Sequence, residues 1–197
     1  MSARGMFRCK SYGASLVELV ATVTIVAILA AVATPHLRDL VRRNKVTVAT
    51  NRLLTDLSHA RLAATHRSSY ASMCPSADGT SCEPDLAQSR GRIVYAYQPG
   101  KARKAAPFDP SPAAGNVLLR YTPVDPNVSI TMKNSAIVGF DAEGNLAASS
   151  SVAEFLICYR LGDGTTENSA KTPGKRLTIN HSGRPSAVDM AAGEACT

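Results

Sequence analysis

Tryptophan is absent from the chain, and aromatic residues make up only 5% of it. Any core must therefore be built mainly from aliphatic side chains, for which the 45% apolar share is sufficient. The short signatures of common enzymes are also missing. There is no G-x-S-x-G elbow, no P-loop, no H-E-x-x-H and no G-x-G-x-x-G. Ser, His and Asp all occur, but composition alone does not make a triad, so no enzyme and no cofactor are expected. No fixed-period repeat is visible, which argues against a solenoid. Acidic residues are outnumbered 15 to 22, giving a formal charge of +7. Three of the positive charges, Arg4, Arg8 and Lys10, precede Gly13. The rest of the chain is only mildly basic, which does not by itself argue for nucleic acid.

What the chain does have is one long apolar run. Residues 13–35 read GASLVELVATVTIVAILAAVATP. The stretch 14–33 is about the twenty residues that a helix needs to cross a hydrocarbon core. Glu18 stands inside it, where a carboxylate costs about 2.5–3.5 kcal/mol on insertion scales. A basic start, an apolar middle and Ala31-Val32-Ala33 before Thr34 also fit an ordinary secretory signal. Against that reading, the run is longer than the usual apolar region and contains Glu18. Beyond Pro35, Val46, Ala49, Leu53, Leu57, Ala60 and Ala64 recur at three- and four-residue spacing. Asn44, Asn51, Thr55 and Ser58 lie opposite. This predicts one helix from about residue 15 to about 66, apolar in its first half and amphipathic in its second. His36, His59 and His66 give no metal-binding pair on one face and are expected to be solvated.

From Ser69 the apolar runs shorten and turn residues multiply, which predicts β-structure. The expected strands are 69–73, 92–97, 117–121, 128–132, 136–140, 155–160, 175–180 and 186–189. Turn signals such as Asp78-Gly79, Glu143-Gly144-Asn145 and Gly162-Asp163-Gly164 separate them. Residues 99–116, rich in Pro, Ala and basic side chains, are read as a mobile loop. Asp141, Glu143 and Asn145 alternate loosely like a calcium loop, but the EF-hand order is not met and a hairpin turn is expected. One long helix packed on an antiparallel β-domain gives an α+β fold.

Residues 4–35 resemble the type III signal of type IV pilins and pseudopilins. That signal has a short basic leader, a cleavage-site Gly, a Glu five residues later, an apolar helix and a Pro. Here these are Arg4, Arg8 and Lys10, then Gly13, Glu18 and Pro35. Ala14 stands where the family usually has Phe. Three later stretches, CPSADGTSCEPDLAQSRGRIVYAY, IVGFDAEGNLAASS and LTINHSGRPSAVD, resemble segments of the FimT/GspH minor-pilin family, although many relatives carry Trp in the first. The resemblance implies a leader at 1–13, cut by prepilin peptidase between Gly13 and Ala14. It implies a transmembrane and fibre-packing helix at 14–35, an amphipathic continuation at 36–68 and a periplasmic β-rich domain at 69–197. It further implies a single pass through the inner membrane, followed by assembly with other pilins or pseudopilins. Glu18 would then neutralise the new α-amino group of an adjacent subunit in low dielectric and so set register. On the residues alone, Glu18 as a tolerated interfacial charge stays open.

Cysteine usage agrees with export. Cys9 falls in the leader, leaving Cys74, Cys82, Cys158 and Cys196, an even number suited to an oxidising compartment. Four cysteines allow three connectivities. Cys74–Cys82 would close a short turn-rich loop, and Cys158–Cys196 would tie down the C-terminus. Buried free thiols remain open, whereas the C-x₇-C spacing does not suit zinc.

Two functional classes follow. One is a structural subunit of a type IV pilus or of a type II secretion pseudopilus. The other adds weak, sequence-independent DNA binding, as some FimT-type relatives show through a basic C-terminal patch. Arg184 would be its centre, with Lys171, Lys175 and Arg176 as helpers and Gly183 allowing close backbone approach. Those relatives tend to carry a G-R-x-R pattern, and here Ser186 stands in place of the second Arg. Lys101, Arg103 and Lys104 form a rival basic site, and a plain solvated hairpin is the third possibility.

Overall fold

Apolar residues at helical spacing and good helix formers run uninterrupted for more than fifty positions, and they form one helix. The computed structural model describes residues 15–84, 91–98, 106–133, 137–147 and 153–196. Helix α1 spans Leu16–Arg67, close to the limits that the periodicity predicts. The chain divides into two units at Arg38 and Asp39. In the first unit, every described side chain of α1 is exposed. In the second, Val46, Ala49, Leu53, Leu57, Ala60 and Ala64 are all buried, while Asn44, Asn51, Thr55 and Ser58 are exposed. His36, His59 and His66 are exposed as well.

Nine strands follow among the described residues. They are β1 (Ala71–Ser76), β2 (Gly91–Tyr97), β3 (Asn116–Pro123), β4 (Val128–Lys133), β5 (Val138–Phe140), β6 (Ala153–Arg160), β7 (Thr166–Glu167), β8 (Lys175–Ile179) and β9 (Pro185–Asp189). The first sheet has the order β3-β2-β1-β5, and the second has β4-β6-β8-β9 with β7 pairing β6. All pairings are antiparallel. The two-residue strand β7 carries too few side chains to show alternation, and the sequence pattern missed it. Part of the segment 99–116 read as a loop forms a 3-10 turn, Pro112–Ala114, and the start of β3.

Side-chain alternation along each strand gives both sheets two apolar faces. Met73, Val94 and Ala96 of the first sheet join Phe155, Ile157, Leu177 and Ile179 of the second in one core with the α1 stripe. On the opposite face of the first sheet, Cys74, Ile93, Tyr95 and Tyr97 pack with Phe108. On that of the second, Leu156, Cys158, Met190 and Cys196 cluster. One disulfide lies in each of these outer clusters, Cys74–Cys82 in the first and Cys158–Cys196 in the second. Tyr95 and Tyr97 both donate their hydroxyls to the carbonyl of Ala106, which holds residues 106–108 against β2.

A buried ion pair sits in the main core. Asp56 is fully buried on the helix face that carries Leu53 and Ala60. Its carboxylate accepts from Arg92 Nε at 2.6 Å and from Thr122 Oγ1 at 3.0 Å, and Arg120 Nε lies 3.2 Å away. Arg92 alternates with Val94 and Ala96 and so must face the helix. Removing one partner of a buried pair leaves the other charge uncompensated, at a cost of about 3–5 kcal/mol. Asp56→Ala is expected to lower the unfolding free energy by about that amount in urea titrations, and adding Arg92→Met should recover part of the loss. Equal stability of wild type and Asp56→Ala would contradict this account.

Candidate assembly helix and basic hairpin

The first unit exposes Leu16, Val17, Leu19, Val20, Val23, Ile25, Val26, Ile28, Leu29 and Val32 at 54–79% each. A water-exposed helix would not keep such a surface. The backbone is satisfied internally, as a lipid or fibre interior requires. Even the hydroxyls of Thr22, Thr24 and Thr34 bond back to the carbonyls of Leu19, Val20 and Ala30. This is the one helix in the described residues long and apolar enough to cross a membrane. Glu18 lies in its first turn, where the positive end of the helix dipole favours a carboxylate. Its side chain has no hydrogen-bond or ion-pair partner among the described residues. Gly13 and Ala14 lie outside the described residues.

The C-terminal hairpin is made by β8 and β9, in register from Lys175 opposite Asp189 to Ile179 opposite Pro185. Lys175 and Arg176 therefore lie at one end of it and Arg184 at the turn. At about 3.3 Å per residue, the two ends are roughly 13 Å apart. Of the three helpers, Lys175 and Arg176 are already engaged by acids. Lys175 Nζ pairs with Asp189 at 2.5 Å, while Arg176 pairs with Glu154 at 3.0 Å and with Glu194. Lys171 offers its carbonyl to the guanidinium of Arg43, at 2.8 Å from Nη2. Ser186 exchanges a hydrogen bond with Thr178 across the hairpin at 3.1 Å. Arg184 is exposed, and its guanidinium has no partner among the described residues. The hairpin thus does not gather the basic set on one edge, and among the described residues the side chains of Arg184 and Lys171 are without a partner. Lys101, Arg103 and Lys104 lie outside the described residues.

Gly183 does structural work of a kind that its sequence context did not reveal. Its φ is +70°, and a Cβ there would come within 2.1 Å of the Gly144 carbonyl oxygen. The 180–184 turn thereby docks on the 141–145 turn. Leu146 N donates to His181 O at 3.0 Å, and Arg61 Nε from α1 donates to the same Gly144 carbonyl at 2.8 Å. This contact ties a turn of each sheet to the helix. Asp141 serves its own turn, accepting from the amides of Glu143 and Asn145.

With this geometry in hand, comparison with known proteins is informative. A family model for "Type II transport protein GspH" matches residues 49–183, more than half of the chain. The chain belongs to this family of pilin-like subunits, and it is not an enzyme. Two crystal structures of the type IV minor pilin FimU from Pseudomonas aeruginosa share the fold. One is 19% identical with a TM-score of 0.51, covering 77% of this chain and 99% of FimU. The other is 20% identical with a TM-score of 0.54, covering 79% and 97%. No curated protein matches the chain. Family membership implies assembly with other pilins, and the exposed apolar helix is consistent with membrane anchoring.

The turn contact yields a direct test. An Ala at positive φ costs about 1–2 kcal/mol, and at 183 it must also displace the Gly144 carbonyl. Gly193 has φ +83° with open space around it. Gly183→Ala should therefore lower the thermal midpoint more than Gly193→Ala does. Equal losses would show that the two turns do not depend on each other.

Proposed function

We propose that the protein is a minor fibre subunit of a type IV pilus. The observation that carries this reading is the exposed apolar first half of α1, in which Glu18 has no partner among the described residues, a surface that other helices would cover. In this reading residues 1–13 are a leader, removed by prepilin peptidase between Gly13 and Ala14. Residues 14–35 hold the subunit in the inner membrane as a single pass, 36–68 carry the helix onto the domain, and 69–197 form the periplasmic domain. Glu18 then faces the α-amino group of a neighbouring subunit, where a lone carboxylate in low dielectric would otherwise be expensive. The match to the GspH family supports a second reading, a type II secretion pseudopilus subunit with a purely structural role.

Glu18→Ala is expected to leave membrane insertion unchanged and to abolish recovery of the protein in sheared fibres. Intact-mass analysis of membrane-extracted protein should give Ala14 as the mature N-terminus. A mature N-terminus at Thr34 would sink the pilin reading. Deleting the gene separates the two systems: loss of surface pili supports the first, and loss of secretion with pili intact supports the second.

Weak DNA binding is an added property of this reading, because among the described residues Arg184 is the hairpin cation without a partner. Phosphate contacts release counterions, so affinity should fall steeply with salt. A salt titration of duplex binding should show Arg184→Ala weaker than wild type. If only a Lys101/Arg103/Lys104 alanine variant loses affinity, the site is the loop. If no variant binds at low salt, the subunit is structural alone.

A further inference from the structure

The cluster around Asp56 carries more bases than acids. A single carboxylate there serves two guanidinium groups, those of Arg92 and Arg120. A third, Arg52, stands one helical turn before Asp56 and is exposed, with no hydrogen-bond or ion-pair partner among the described residues. Arg92 is only 2% exposed, and its Nη2 has no hydrogen-bond partner among the described residues. Burial pulls the pKa of Arg92 down. Asp56 opposes that pull, and the positive charges of Arg120 and Arg52 add to it. The site therefore holds more positive charge than its own acids neutralise, together with a buried donor that lacks an acceptor.

Arg52 and Arg92 both line a cleft of about 210 Å³, completed by Asn44, Lys45, Asp125 and Ile130 among others. Lys45 is already matched by Asn127 and Asp125. The open cationic capacity of the cleft is thus that of Arg52 and Arg92. We propose that this cleft binds one oxyanion, a phosphate or a carboxylate, at the exposed guanidinium of Arg52, beside the buried guanidinium of Arg92. The planar guanidinium fork matches the geometry of such groups. An oxyanion there would accept charge-assisted hydrogen bonds from the Arg52 guanidinium. It would also offset the surplus charge beside Asp56. Two sources share this chemistry: free inorganic phosphate, or an acidic side chain of a neighbouring subunit. Only the second rests on the fibre reading.

The test uses full-length protein in neutral detergent, with thermal unfolding followed by circular dichroism. Sodium phosphate, sodium acetate and N-acetyl-glutamate amide are each titrated against sodium chloride at equal ionic strength. At least one oxyanion should raise the midpoint saturably above the chloride control. Arg52→Gln, at an exposed position, should fold normally and weaken that response by about tenfold, as expected for losing a charge-assisted bond. Arg67→Gln, an exposed cation away from the cleft, should respond as wild type. A stronger response to phosphate assigns the free ion, and a stronger response to the glutamate derivative assigns a subunit side chain. The proposal is overturned if no oxyanion exceeds matched chloride, or if Arg52→Gln responds as wild type. Because assembly is not measured, failure here leaves the fibre reading standing.

Discussion

The burial of one helical stripe against two sheets is the interaction on which the domain depends. Leu53, Leu57, Ala60 and Ala64 are each fully buried in a core that draws Met73, Val94 and Phe140 from the first sheet and Phe155, Leu177 and Ile179 from the second. Removing a buried Leu side chain typically costs about 2–5 kcal/mol. Ala60 and Ala64 continue the buried stripe with small side chains. With few aromatic side chains, the core relies on this close aliphatic packing.

Polar ties then fix how the helix sits on the domain. Asp56 anchors its middle to β2 and β3 through Arg92, Arg120 and Thr122. Arg61 holds the turn at Gly144. Near Asp39, Arg42 pairs with Glu167 at 3.0 Å and lies over the Tyr159 ring, while Arg43 bonds the Lys171 carbonyl. Much of the positive charge that looks available in the sequence is consumed in this way. Lys175 and Arg176 are held by Asp189, Glu154 and Glu194, so a basic sequence has become a set of internal pairs. A mildly basic composition therefore overstates the cation that a nucleic acid could meet.

The parts of this structure governed by local periodicity were readable in advance. The i, i+3, i+4 stripe of α1 and the short apolar runs bounded by turn residues gave the helix and eight of the strands close to their observed limits. Strand β7 was not readable, because two residues carry no period. Asp56 had a visible signal, since it lies three residues after Leu53 on the apolar stripe, but its partner Arg92 comes from a strand 36 positions away. Which acids neutralise Lys175 and Arg176 was equally hidden, because Glu154 meets Arg176 diagonally across the strands only once β6 and β8 are in register. The docking role of Gly183 depends on a second turn about forty positions earlier, and no local pattern reports such a contact.

The central claim is that the second half of α1 and both sheets form one cooperative unit. Hydrogen exchange of the full-length protein under rising denaturant tests it most directly. The account predicts that the amides of Leu57 in α1, Val94 in β2 and Leu177 in β8 lose protection together, with one common free energy of opening. If Leu177 and its sheet open at a distinctly lower free energy while Leu57 and Val94 stay protected, the helix is not what joins the two sheets, and the account is wrong.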